Sequence, residues 1–205
     1  MNAIFGYKED RLKHRPYANE DLIDDLIAGD REAACVFYDR YGARISRWVW
    51  HLLGADREHA DIVQQVFVNI FESLPRIKKP DSFGAFVDSI AIKTTRFELR
   101  KRKARRALYV FGASTNLDEP MDKNSSFKDQ HIRHFYRILN TMPTDDRIIF
   151  IMKYLEGRTI EQIASIGKYS VSTAKRRLKR AKKIFEKNAI EDFSLISLAE
   201  ECYAI

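Results

Sequence analysis

The residues in this chain best suited to chemistry are cations at helical spacing. Between Thr159 and Lys183 the sequence reads TIEQIASIGKYSVSTAKRRLKRAKK. Within it Ser172, Thr173, Lys175, Arg176, Arg177, Lys179 and Arg180 offer hydroxyl, ammonium and guanidinium donors. A guanidinium can grip a base edge with two hydrogen bonds, whereas a lysine meets a phosphate as a point charge. A second cationic run, Arg96 to Arg106, carries seven basic residues and one acid, and Lys168 to Lys187 carries nine and one. Elsewhere twenty basic residues face twenty-seven acidic ones. Two basic patches on an otherwise acidic chain suggest a polyanion held at two places.

Other chemistries find little support. His131 and His134 are three apart and His51 and His59 eight apart, but no cysteine or carboxylate cluster completes a metal site. Cys35 and Cys202 match no ligand spacing, and such low usage fits a reducing compartment. No Gly-rich phosphate loop is present, and no Ser/His/Asp arrangement can be argued from order alone. We therefore expect no catalytic residue, no metal and no cofactor, in a protein that is not an enzyme. With no signal-peptide or transmembrane-length run, the expectation is a cytoplasmic protein without membrane insertion.

The elements that must position these cations read as helices throughout. Asn19 to Gly29 suits a short helix with Asn19 as N-cap, and Asp30 caps a longer one through Leu53. The apolar stripe of the latter is Ala34, Phe37, Tyr41, Ile45, Trp48 and Leu52, with Cys35 beside it as a packed thiol. Gly54 ends it. Arg57 to Leu74 follows, with Ile62, Val63, Val66, Phe67, Ile70 and Phe71 inward. After a Pro-bounded loop, Ser82 caps a fourth helix whose stripe is read as Phe83, Phe86, Ile90 and Phe97. From Ala107 to Asp129 periodicity fails in a run rich in Ser, Asn, Asp, Gly and Pro, which reads as a linker. A second block follows at 130–141, 144–156, 159–166 and 170–187, with Pro143 starting a helix. The fold class is all-α, in two small helical domains.

Thr159 and Gln162 form a capping box. Ser170 caps the next helix, which buries Val171, Ala174, Leu178, Ala181 and Phe185. A short helix, a tight turn and a polar-basic second helix make a helix-turn-helix, whose second helix enters the major groove N-terminal end first. Ser172, Thr173 and Arg176 would then reach base edges. Lys175, Lys179, Arg180 and Lys183 would meet phosphates, adding affinity without sequence information. Arg177 flanks the apolar stripe.

At this point several motifs converge. The stretch LNTMPTDDRIIFIMKYLEGRTIEQIASIGKYSVSTAKRRLKRAKKIF resembles region 4 of bacterial sigma factors. DLIDDLIAGDREAACVFYDRYGARI resembles the start of their region 2, DIVQQVFVNIFESL the core-binding helix, and SFGAFVDSIAIKTTRFELRKRKARR the helix of promoter melting and −10 recognition. Their order, with no full region 3, is similar to the extracytoplasmic-function (ECF) group. The resemblance implies region 2 over 19–106, a linker over 107–129, region 4 over 130–187 and a tail, 188–205, with no assigned role.

The resemblance also implies a mechanism. The chain would bind RNA polymerase core, through the coiled coil of the largest subunit and the flap, and direct it to promoter DNA. Asp61, Gln64 and Gln65 match the core-binding helix, where relatives often carry Glu at the place of Gln65. Lys78, Lys79, Asp81 and Ser82 match the base-capturing loop at the −10 element, and Lys93, Thr94, Arg96 and Arg100 the helix contacting the unwound strand. Many relatives carry an Asn near Lys93 to Thr95; this chain does not. Ser172, Thr173, Lys175, Arg176, Arg177, Lys179 and Arg180 would read the −35 element as duplex. Phe83 and Phe86 suit base stacking or the core, and their spacing favours the core. Many such proteins are held by an anti-sigma factor, a candidate partner here. The rival readings are a stand-alone helix-turn-helix regulator working without polymerase, and a decoy that binds core but not promoters.

The turn departs from the resemblance. Relatives place Leu-Gly-Ile where this chain has Gly167, Lys168 and Tyr169. Either Lys168 takes a positive φ, or the turn shifts to use Gly167. Tyr169 would replace the aliphatic plug, its hydroxyl directed to solvent or DNA.

Overall fold

A computed structural model describes residues 18–54, 56–77, 80–112 and 127–189, with the side chains of 106–112 and 127–130 left aside. The described residues form eight α-helices and no strand: α1 (Asn19–Ile27), α2 (Arg31–Leu53), α3 (His59–Ser73), α4 (Phe83–Gly112), α5 (Phe127–Thr141), α6 (Thr144–Tyr154), α7 (Ile160–Gly167) and α8 (Val171–Ala189). Short 3-10 turns at Leu74–Arg76 and Pro80–Ser82 join α3 to α4.

Local chemistry sets most of these boundaries. Asp30 accepts from the Ala33 amide at 2.7 Å, satisfying one of the orphan donors at the start of α2. Gly54 closes that helix at φ 82°, a backbone that side chains resist. Asn19 is already the first residue of α1 and accepts instead from Arg40 at 3.4 Å; Ala18 takes the N-cap position. Pro143 likewise precedes α6 as its N-cap residue rather than opening it. The fourth helix runs on to Gly112, six residues into the stretch read as linker, and α5 begins at Phe127 rather than 130. The tail beyond Ala189, with Cys202, lies outside the described residues.

The N-terminal unit, α1 to α4, closes over the predicted α2 stripe. Phe37, Tyr41, Ile45, Trp48 and Leu52 are all buried. Phe37 meets Phe67 and Phe83 at centroid distances of 5.7 Å each, the edge-on and tilted geometries that aromatic quadrupoles favour. Phe83 is therefore a core residue, and Phe86 is half-buried against it. The α4 stripe is rotated from the sequence reading. Val87, Ala91, Ile92, Thr95 and Leu99 face inward, while Phe97 is 70% exposed. Small Ala91 and Thr95 let the helices approach, and Thr95 satisfies its hydroxyl on the Ala91 carbonyl at 2.8 Å. Of the stripe read from the sequence, Phe83 is in the core and Phe86 and Ile90 pack at its edge, and Phe97 alone sits on the wrong side.

The C-terminal unit packs α5, α6 and α8 around Phe150 and Phe185, whose rings lie 4.9 Å apart. The two units touch. Tyr136 of α5 covers the end of α2, close enough that a Cβ on Gly54 would meet its ring at 3.1 Å, and its hydroxyl donates to the Trp50 carbonyl at 3.0 Å. Asp88, buried at 1% exposure, accepts from Trp48 Nε1 at 2.9 Å and from Arg158 Nη2 at 3.2 Å, and also pairs with Arg44. Glu156, at the end of α6, takes His51 Nδ1 at 2.6 Å and Arg47 at 3.3 Å. A buried carboxylate is tolerable only when paired in this way.

Candidate nucleic-acid and polymerase interface

The helix-turn-helix is built by three local devices. Thr159 and Gln162 close the capping box: Gln162 N–H donates to Thr159 Oγ1 at 3.2 Å and Thr159 N–H to Gln162 Oε1 at 3.0 Å. The turn follows as a Schellman motif, with Tyr169 N–H bonded to Ala164 O at 2.9 Å and Lys168 N–H to Ser165 O at 3.3 Å. Lys168 holds the left-handed position at φ 56°, ψ 46°. Gly167 has a different task. A Cβ there would lie 2.4 Å from Cε2 of Tyr169, so the glycine makes room for the tyrosine ring. Ser170 then accepts from the Thr173 amide at 3.2 Å and starts α8.

On α8, Ser172, Lys175, Arg176 and Lys179 are exposed, and Thr173 is half-buried beside Ser170 Oγ at 2.8 Å. Arg177 and Arg180 differ from the expectation. Arg177 Nη1 pairs with Asp145 at 2.9 Å, and Arg180 Nη2 bonds Asp146 Oδ1 at 2.8 Å. Asp145 and Asp146 form the first turn of α6, and Asp146 is fully buried, so it draws a guanidinium from α8 to compensate. An apolar groove of about 290 Å³ lies behind this face, between Tyr154, Ile160 and Leu178, with Lys153, Lys175 and Lys179 at its rim.

In the N-terminal unit, Asp61, Gln64 and Gln65 stand exposed along α3, with Gln65 bonded to Asn69 at 3.0 Å. Between α3 and α4 runs a cleft of about 700 Å³ lined by Asp61, Gln65, Asn69, Lys93, Thr94 and Phe97. Lys93 is exposed, and Thr94 accepts from Asn69 Nδ2 at 2.7 Å. Asp81 and Ser82 are exposed in their 3-10 turn. Lys78 and Lys79 lie outside the described residues.

Several cations of the α4 run are paired within the fold. Arg102 pairs with Asp56, with Glu58 at 2.8 Å and with Glu98 at 3.0 Å. Burial works against its charge, but the Asp56 and Glu98 hydrogen bonds dominate and raise its pKa. Burial likewise pushes the Asp56 carboxyl up, but the Arg102 hydrogen bond, the Glu58 amide and the neighbouring positive charge together outweigh it, leaving Asp56 below its ordinary value. Lys101 and Arg105 also reach Glu98, at 3.6 and 3.2 Å. These partners are far in sequence or masked by the run's excess charge, so counting cations overstated the free patch.

Arg96 and Arg100 meet a residue that sequence reasoning missed. Asp145 receives Arg100 Nη2 at 3.1 Å, lies 3.2 Å from Arg96 Nε, and accepts from the Tyr169 hydroxyl at 3.0 Å. Arg96 Nη2 in turn donates to Tyr169 Oη at 2.7 Å. The guanidinium carbons of Arg96 and Arg177 lie 5.4 and 5.1 Å from the Tyr169 ring centroid. The hydroxyl expected in solvent or on DNA is thus committed inside the protein. Burial pushes Tyr169 up to about 12. Burial also pushes Asp145 up, but the Tyr169 bond and the three guanidinium groups leave its carboxyl below the ordinary 3.8. Among the described residues no group of three or more His, Cys, Asp and Glu side chains could hold a metal, and no helix is long and apolar enough to cross a membrane.

Comparison with known proteins agrees with this architecture. Residues 37–105 match the family Sigma-70 region 2, and residues 132–185 match Sigma-70, region 4; together they span well over half of the chain. The RNA polymerase sigma-H factor of Pseudomonas aeruginosa is 21% identical over 178 residues, covering 82% of this chain and 92% of the relative. The ECF RNA polymerase sigma-E factor of Escherichia coli is 22% identical over 174 residues, 80% of this chain and 91% of the relative. CnrH, solved in complex with the cytosolic domain of CnrY, shares the fold at a TM-score of 0.59 and 18% identity, over 86% of this chain and 99% of that one. RpoE of Bartonella quintana, solved with the anti-sigma factor NepR, does so at 0.56 and 18%, over 76% and 98%. With both regions matched in order on an all-α chain, this protein belongs to the sigma-70 family, in the extracytoplasmic-function group of sigma factors that act with RNA polymerase in transcription initiation.

Proposed function

We propose that the exposed N-terminal face of α8 reads the −35 element as duplex, that α4 and the turn before it capture the −10 strand, and that Asp61, Gln64 and Gln65 on α3 meet the coiled coil of the polymerase's largest subunit. The observation that carries this reading is the exposure of Ser172, Lys175, Arg176 and Lys179 on one face of a capped second helix. The exposed planar guanidinium of Arg176 suits a bidentate base contact, while Lys175 and Lys179 would add salt-dependent phosphate affinity. Region 2 then spans 19–106 and region 4 130–187, with the intervening stretch connecting them. The protein supplies recognition and leaves the chemistry to the polymerase; it is not itself an enzyme, and it works in the cytoplasm. An anti-sigma factor is a fitting partner, since RpoE was solved with one.

The test is selection of promoter sequences from a randomised −35 region with reconstituted holoenzyme. The wild type should enrich one motif, and Arg176→Ala should relax it at one or two adjacent positions. An unchanged motif would remove Arg176 from the readout set.

A further inference from the structure

The groove behind the recognition helix has an apolar floor and a cationic rim. Tyr154, Ile160 and Leu178 line it, each half-buried, and Lys153, Lys175, Lys179 and Lys182 surround them, with no acid among the lining residues. Lys182 also lies 4.0 Å from Glu186, one turn further along α8. A rim of one charge around an apolar floor favours an occupant with aliphatic side chains inside and carboxylates outside. A nucleic-acid backbone would answer the lysines but offers no aliphatic side chain to Leu178 and Ile160.

The chain carries such a segment directly after α8. Residues 190–205, IEDFSLISLAEECYAI, hold four carboxylates, Glu191, Asp192, Glu200 and Glu201, and no Lys or Arg, on a chain whose net charge is +7. Leu195, Leu198, Cys202 and Ile205 recur at three- and four-residue steps, the spacing of one helical face. The reach is sufficient. Leu178 lies eleven positions before the end of α8 at Ala189, about 16 Å back along the helix at roughly 1.5 Å per residue. Residues 195–205 would span about the same length as a helix, which leaves 190–194 for the reversal. We propose that the groove is the docking site of this chain's own C-terminal segment, whose aliphatic face covers Leu178 and Ile160 and whose carboxylates meet the lysine rim. Lys175 and Lys179 are also the proposed phosphate contacts. Resting on that reading, the docked segment competes with DNA for them and lowers the affinity of the protein for duplex.

The test uses the full chain. Leu195→Ser with Leu198→Ser breaks the aliphatic face and keeps every charge. Glu191→Gln, Asp192→Asn, Glu200→Gln and Glu201→Gln together remove the carboxylates. Glu20→Gln, Asp24→Asn, Glu32→Gln and Asp39→Asn, four exposed acids on α1 and α2, control for the same change in net charge. Two-dimensional NMR of isotope-labelled protein should show amide shifts clustered at Tyr154, Ile160, Leu178 and Lys182 in both segment variants and not in the control. Fluorescence anisotropy with a random-sequence duplex should show affinity rising about fivefold, over the wild type for the serine pair and over the control for the charge variant. That rise corresponds to a segment docked about four-fifths of the time. Unchanged groove amides would overturn the docking. Groove shifts that fade on dilution would overturn it in favour of a segment donated by a second copy. Shifted amides with affinities within twofold of their references would overturn the competition. Lys179→Ala in the same assay scores the phosphate reading by itself: an affinity it leaves unchanged sinks that reading and the competition with it, while the amide shifts still decide the docking.

Discussion

Replacing Lys168 by glycine should stabilise the protein, although it deletes a long side chain. The residue sits at φ 56°, ψ 46°, the C′ position of a Schellman motif, and it is the only non-glycine residue with positive φ among those described. An L-residue there carries roughly 1–2 kcal/mol of steric cost between Cβ and the following carbonyl. Glycine removes that cost but has about 0.5–1 kcal/mol more backbone freedom to lose on folding. The net gain is about 0.5–1 kcal/mol, worth roughly 1–4 °C in melting temperature for a chain of this size. The adjacent substitution should do the opposite. Gly167→Ala would put a Cβ 2.4 Å from the Tyr169 ring and displace it from Asp145 and Arg96. Overpacking alone costs about 1–3 kcal/mol. Urea and thermal unfolding followed by circular dichroism would measure both. A destabilised Lys168→Gly protein would refute the strained-turn account, and a neutral Gly167→Ala would show that the ring does not lie over residue 167.

Four further outcomes are expected. Arg176→Ala should cost about 1–3 kcal/mol of discrimination at −35, read as the affinity ratio between matched and mismatched duplexes. Lys179→Ala should weaken binding evenly on all sequences and lower the salt slope by about one, and a sequence-selective loss would contradict the phosphate role. Asp88→Asn should cost about 1.5–3 kcal/mol in urea unfolding, because it removes the counter-charge that Arg44 and Arg158, themselves partly in solvent, bond at a buried carboxylate. In alkali, Tyr136 and Tyr169, each pushed up to about 12 from 10.0 chiefly by burial, stay neutral in the fold while the unfolded chain ionises. Their stabilisation is complete below pH 10 and is lost as pH rises towards 12, by roughly 2–3 kcal/mol each. Absorbance titration should show one fewer late-ionising tyrosine in Tyr136→Phe or in Tyr169→Phe than in the wild type.

Local signals carried much of the architecture into the sequence. Asp30, Gly54, the Thr159–Gln162 box and Ser170 mark helix ends because their side chains or backbones act within a few residues, and the structure uses them as expected. The α2 stripe was equally legible, since Phe37, Tyr41, Ile45, Trp48 and Leu52 all face one core. The α4 face was misread because its packing relies on Ala91 and Thr95, which carry little apolar signal, while bulky Phe97 points out. The exposure of the α3 and α8 site residues followed from helical periodicity. The fate of Arg96, Arg100, Arg177 and Arg180 did not, because their partners Asp145 and Asp146 are brought to them by tertiary packing across 31 to 49 positions. Tyr169 combines both cases: the sequence shows that the turn is unusual, but the hydroxyl's destination depends on how the two units meet.

The most direct measurement is transcription start mapping with the purified protein, polymerase core and genomic DNA fragments. The account predicts defined starts, absent with core alone, whose upstream sequences share two motifs near −10 and −35. Core-independent binding to duplex with no starts would instead support a stand-alone regulator, and core binding with no starts a decoy; either result would contradict the role assigned to this chain.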